Sequence, residues 1–155
     1  MSAKFRSRLW ALRHLKLAGM SPDDLKIVYL SAILPVLDFA SPTYHPLLTT
    51  TQSLQLEALQ KRASKVIFGA KSSYQQIIAS GCLQLLEDRR KQLCINFAKK
   101  AAADPRFADR WFPTKRATPY NTRYPEVYQI EKPWTERMKK NPVTYMRKEL
   151  NMILK

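Results

Sequence analysis

Apolar residues recur along this chain at three- and four-residue intervals, and most of the runs stop at a glycine or ahead of a proline. Only three Gly stand among 155 residues, against ten Pro, so a few breaks set the length of every element between them. Phe5, Leu9, Leu12 and Leu15 share one helical face, Arg and Lys take the other, and Gly19 follows as a C-cap. Ser21-Pro22-Asp23-Asp24 starts a second helix. Ser21 caps it, Pro22 fits the first position, where an N–H is not needed, and the acids suit the positive end of the dipole. This helix carries Leu25, Val28, Tyr29 and Ala32, and Pro35 is expected to end or kink it near Leu34, with residues 36–39 continuing past the kink.

Ser41-Pro42 and His45-Pro46 mark a connection. A third helix follows the possible caps Thr49, Thr50 and Thr51, runs through Leu54, Ala58, Leu59, Ala63, Val66 and Ile67, and ends at Gly69. Ser72 or Ser73 caps a short fourth helix that stops near Gly81. The fifth opens at Leu85 or Leu86, with an apolar stripe of Leu86, Leu93, Phe97 and Ala101, and stops before Asp104-Pro105. The spacing predicts one core shared by Leu54, Leu59, Ile67, Leu93 and Phe97.

The composition changes beyond Pro113. Residues 114–142 hold four Pro and no Gly, and basic residues alternate with Tyr120, Tyr124, Tyr128 and Trp134. A long helix is forbidden there, so an extended arm is expected, with a last short helix starting at Pro142. The expected fold is all-α: an irregular bundle of about five helices over residues 1–113, followed by an extended basic, Pro- and aromatic-rich segment over 114–155.

The net charge of +15, from 27 Lys and Arg against 12 Asp and Glu, calls for a polyanionic partner, nucleic acid before an anionic membrane surface. The longest apolar stretch, residues 27–40, contains Pro35 and Asp38 and is too short to span a bilayer. The N-terminus has the composition of a mitochondrial presequence, yet reads more simply as a helix with a basic outer face, which leaves a nuclear or cytoplasmic setting as the expectation.

Few catalytic chemistries fit. Three Gly are too few for a Gly-rich phosphate loop, and two Cys make neither a disulfide scaffold nor an all-cysteine zinc cluster. Cys82 and Cys94 stand twelve residues apart, His14 and His45 thirty-one apart, and no short pair nucleates a zinc site. Asp23-Asp24 and Glu87-Asp88 sit at helix starts, where the dipole alone accounts for them. The expectation is a non-enzyme with no metal, no cofactor and no small-molecule substrate.

The positive signal is basic and aromatic. Lys61, Arg62 and Lys65 close the third helix; Arg89, Arg90 and Lys91 fall in the first half of the fifth, where cations gain nothing from the dipole. Arg116, Tyr120, Arg123 and Tyr124 interleave in the arm. Such cations neutralise phosphates and such rings stack on unpaired bases, so these ten residues form the candidate interface for RNA or DNA.

The phrase Val28-Tyr-Leu-Ser-Ala-Ile-Leu-Pro-Val-Leu-Asp-Phe-Ala-Ser-Pro-Thr-Tyr-His45-Pro46 resembles one from the C-terminal part of non-LTR (LINE-type) retrotransposon polyproteins of the jockey and chicken-repeat kind, with Tyr44 where Trp is commoner. Leu59-Gln-Lys-Arg-Ala-Ser-Lys-Val-Ile67 and Leu86-Glu-Asp-Arg-Arg90, with Leu93-Cys94 and Phe97-Ala98, are similar to later phrases of that family. Asp104-Pro-Arg-Phe and Trp111-Phe-Pro follow in the same order, so the likeness covers residues 9–115 well and the tail loosely. The resemblance implies the thumb and following region of an RNA-directed DNA polymerase, whose thumb helices hold the template–primer duplex, with upstream polymerase domains as partners in a parent polyprotein. The family's palm motif, aromatic-Ala-Asp-Asp, is absent from this chain, so no catalytic residue carries over; its Lys-Arg and Arg-Arg positions match Lys61, Arg62, Arg89 and Arg90. The alternative is a structural or interaction remnant of the polyprotein with no nucleic-acid role of its own.

Overall fold

The computed structural model describes residues 2–69, 72–114, 127–132 and 134–154. These residues form helices and one isolated antiparallel bridge, Thr114 to Tyr128, with no strand among them. The all-α class holds, with more helical segments than the five expected.

Local chemistry sets most boundaries. Helix α1 (Ser2–Leu17) ends in a Schellman turn: Met20 N–H donates to Leu15 C=O (3.2 Å) and Gly19 N–H to Lys16 C=O (3.1 Å), with Gly19 at φ +88°. Ser21 Oγ accepts from Asp24 N–H (3.2 Å) to open α2 (Pro22–Val28). Pro35 neither stops nor sharply breaks the chain. It has no N–H, and its ring crowds the carbonyl four residues back. The helix therefore widens into a π turn over Tyr29–Ile33, with Leu34 N–H reaching Tyr29 C=O, and resumes as α3 (Leu34–Asp38). The expected connection after it is a helical turn, α4 (Ser41–Tyr44), and a 3₁₀ turn, His45–Leu47, since prolines in a first turn favour helix.

Helix α5 (Thr50–Phe68) begins with a capping box: Gln52 N–H donates to Thr49 Oγ1 (3.3 Å) and Thr49 N–H to Gln52 Oε1 (3.0 Å). Ser73 caps α6 (Tyr74–Ala79), and α7 (Leu86–Ala103) follows. Asp104 Oδ1 accepts from Arg106 N–H (3.0 Å) and Pro105 occupies the first position of α8 (Pro105–Trp111), a helix the sequence reading missed by taking Asp-Pro only as a stop. Helices α9 (Glu136–Lys139) and α10 (Pro142–Ile153) complete the order, α10 starting at Pro142 as expected.

The chain divides into two compact units, Met1–Ser41 with Thr49–Arg89 and Pro42–Leu48 with Arg90–Lys155. The division falls inside α7, a continuous helix that carries no linker signal in its sequence. In the first unit, Phe5, Leu9 and Leu12 of α1 pack with Leu25, Tyr29, Leu37, Ile67 and Leu86. In the second, Ala98 and Ala101 of α7 pack with Phe112 and with Met146 and Leu150 of α10. The single shared core is thus corrected. Leu59 and Ile67 belong to the first unit's core, Leu93 is half-buried, and Leu54 and Phe97 are exposed, 65% and 40%. The described part of the arm is held by Asn151 of α10, whose Oδ1 accepts from Tyr128 N–H (2.9 Å) and Val127 N–H (3.2 Å).

Candidate nucleic-acid interface

Helix α5 buries a half-polar face, Gln60, Ala63, Ser64 and Ile67. That register turns Lys61, Arg62 and Lys65 outward within about 100° of arc. All three are exposed, and among the described residues no carboxylate forms an ion pair with them. The Lys61 ammonium lies 5.7 Å from the centre of the Tyr74 ring.

The α7 cluster is different. Leu86, Arg90, Cys94, Ala98 and Ala101 follow one another at four- and three-residue steps and are all buried. Arg90 occupies that stripe at 1% exposure, among the largest fully buried side chains, and is removed from the candidate interface. Reading from Leu86 to Leu93 stepped over it because it is charged. Arg89 Nε donates to Asp38 Oδ2 of α3 at 2.8 Å, in the first unit. Lys91 Nζ lies 3.3 Å from Glu149 Oε2 of α10, in the second. Anions for two of the three consecutive cations are therefore supplied by the protein itself, and Arg89 and Lys91 are engaged in holding helices together. Arg116, Tyr120, Arg123 and Tyr124 lie outside the described residues.

Sequence reasoning also missed how α1 is tied down. Lys16 Nζ donates to the Val66 and Ile67 carbonyls at the C-terminus of α5, and the Arg8 guanidinium to the Ala32 carbonyl. A lysine at the negative end of a neighbouring helix dipole is the only sequence-level hint.

The other reactive groups are in ordinary surroundings. His45 packs edge-on against Tyr145, with Nε2 3.3 Å from Tyr145 Oη. No group of three His, Cys, Asp or Glu side chains among the described residues is arranged to hold a metal. No single helix among them is long and apolar enough to cross a membrane. Burial, reinforced by the negative charge of Glu149, pushes the Cys94 thiol up from 9.0 to about 11. Burial likewise raises the Tyr29 phenol, with Tyr74 and Asp38 adding to it, and raises the Tyr74 phenol, with the Glu57 hydrogen bond adding.

These groups keep their protons longer in the fold than in the unfolded chain, so raising the pH releases protons from the unfolded state first. Their contribution to stability should therefore be fully present below pH ~9 and be lost progressively as the pH rises through about 9 to 11. Urea midpoints measured across that interval check this, and a flat profile refutes it. A thiol reagent at pH 8 should label Cys82 in the native chain and spare Cys94 until unfolding, because Cys94 is fully buried and Cys82 is not.

Comparison with protein-family models, curated proteins and solved structures returns no match.

Proposed function

We propose that this chain is a non-catalytic nucleic-acid-binding segment that grips the RNA or DNA backbone through exposed basic helix faces, in keeping with its resemblance to the thumb and post-thumb region of non-LTR retrotransposon reverse transcriptases. The observation that carries the reading is the arc of Lys61, Arg62 and Lys65 on α5, three exposed cations with no carboxylate partner among the described residues, on a chain of net charge +15. Contacts of this kind read charge and not base identity, so sequence specificity should be low.

The test is a salt titration of binding to a duplex. Changing Lys61, Arg62 and Lys65 together to Ala should weaken binding on every sequence alike and make the log–log salt slope shallower by about 0.9 for each phosphate contact removed, up to ~2.7 for three. Arg89→Ala should leave the slope near the wild-type value, since its charge is already met by Asp38. Absence of salt-sensitive binding near physiological ionic strength refutes the proposal. That result would favour an interaction remnant of a larger polyprotein, a reading with one observation of its own: Phe39 and Leu54 are exposed, large and apolar, as surfaces covered by a neighbouring domain are.

A further inference from the structure

The outer face of α1 carries a second arrangement. Arg6, Trp10, Arg13 and Leu17 succeed one another at steps of four, three and four residues, which places them within about 60° of arc on the helix. All four are exposed, Trp10 at 61%. The first acidic residue of the chain is Asp23, so nothing on α1 neutralises the stripe.

The Trp10 indole does not swing free. The His14 ring lies against it, centroids 3.8 Å apart and planes inclined by 37°, and His14 Nδ1 is 3.1 Å from the Trp10 carbonyl oxygen. An exposed aromatic packed against a neighbouring ring, with an arginine one turn before it and another one turn after, costs little ordering when a flat ligand lands on it. Arg6 and Arg13 are about 10 Å apart along the axis, the rise of roughly three stacked nucleotides.

We propose that this face is a single-strand site, on which an unpaired base stacks on Trp10 while Arg6 and Arg13 hold the flanking phosphates. The inference rests on the nucleic-acid reading above and names the form of nucleic acid. Duplex bases are hidden in their own stack, so a lone indole gains only from an unpaired one. A lipid surface fits less well. The continuous apolar face of α1, Phe5, Leu9 and Leu12, is buried in the first unit's core and is not available to enter a bilayer.

The experiment uses the full chain and measures anisotropy with a labelled 20-nucleotide single strand and with its duplex. Trp10→Ala should weaken single-strand binding about 5- to 150-fold and leave duplex binding within about twofold. Trp10→Phe should recover most of the loss. The strand should quench tryptophan fluorescence in the wild type, and Trp10→Phe should remove the Trp10 share of that quench, leaving only what Trp111 and Trp134 contribute. Trp10 is exposed, so folding is not at stake; circular dichroism confirms it. Equal single-strand affinity in wild type and Trp10→Ala overturns the proposal, and if the triple α5 variant still loses duplex binding, the broader function stands without it. Loss of binding to phosphatidylserine vesicles on Trp10→Ala, with single-strand binding unchanged, assigns the face to a membrane and also overturns it. If the wild-type chain binds neither strand nor duplex, both readings fall together.

Discussion

Replacing Gln60 with leucine should destabilise the chain by about 1–3 kcal/mol although the side-chain volume hardly changes. Gln60 is 1% exposed in the middle of α5. Its Oε1 accepts from Tyr29 Oη at 3.1 Å, and its Nε2 donates to the Gln84 carbonyl at 2.7 Å and to Tyr74 Oη at 3.0 Å. Tyr74 Oη in turn donates to Glu57, whose Oε2 accepts from Leu86 N–H at 3.1 Å, at the N-terminus of α7. One amide thus ties α5 to the π turn, to α6 and to the approach to α7.

Leucine fills the space but strands the Tyr29 hydroxyl, which is fully buried; Gln84 is exposed, so water can take over its carbonyl. Each buried polar group left unmade costs about 1–3 kcal/mol. Tyr74 loses least, because its proton still goes to Glu57. Removing both ends of one bond should be cheaper than the two single losses added together. Tyr29→Phe combined with Gln60→Leu is therefore expected to fall short of additivity by about 1 kcal/mol or more in a double-mutant cycle. Urea unfolding followed by circular dichroism reads both quantities. A Gln60→Leu chain within about 0.5 kcal/mol of wild type would show that the amide does not bridge these elements.

Gln60 also shows why the sequence was only partly legible. The helix ends that were read correctly depend on residues next to one another: Gly19 after α1, Ser21-Pro22 before α2, Ser73 before α6, Pro142 at the start of α10. Which face of a helix is buried depends on partners far along the chain. In α5 the apolar pattern favoured Leu54 and Ala58, but the core accepts Gln60 and Ser64 because Tyr29 and Gln84 satisfy the amide, and both Leu54 and Ala58 are exposed.

The same holds for the candidate interface. The α5 cations were visible as a cluster of neighbouring residues, of which Lys65 lies in the last turn, where positive charge is favoured. The α7 cations were not, since Asp38 and Glu149, which partner Arg89 and Lys91, lie on α3 and α10. The stripe on α1 was visible as alternating Arg and apolar residues. Its use depended on knowing that Phe5, Leu9 and Leu12 turn inward and leave Trp10 outside.

Arg90→Ala should be as damaging as any core truncation, about 3–5 kcal/mol, and should leave the salt dependence of nucleic-acid binding unchanged. The side chain lies along the buried stripe of α7 with Cys94 and Ala98. Its positive charge opposes that of Glu149 in its effect on the Cys94 thiol. A buried guanidinium is tolerated only where carboxylate and carbonyl oxygens replace its water. Truncation removes the long apolar stem as well as the charge, while Glu149 keeps Lys91, whose side chain is half exposed and whose ammonium is 3.3 Å away. Arg90→Met separates the two losses, keeping most of the stem without the charge; it should fall between wild type and Arg90→Ala. A thiol reagent gives a local readout, since a cavity beside Cys94 should let the native Arg90→Ala chain react where the wild type does not. A surface role predicts the reverse pattern: wild-type stability, weaker binding to RNA or DNA, and a shallower salt slope. That combination would place Arg90 back among the phosphate contacts.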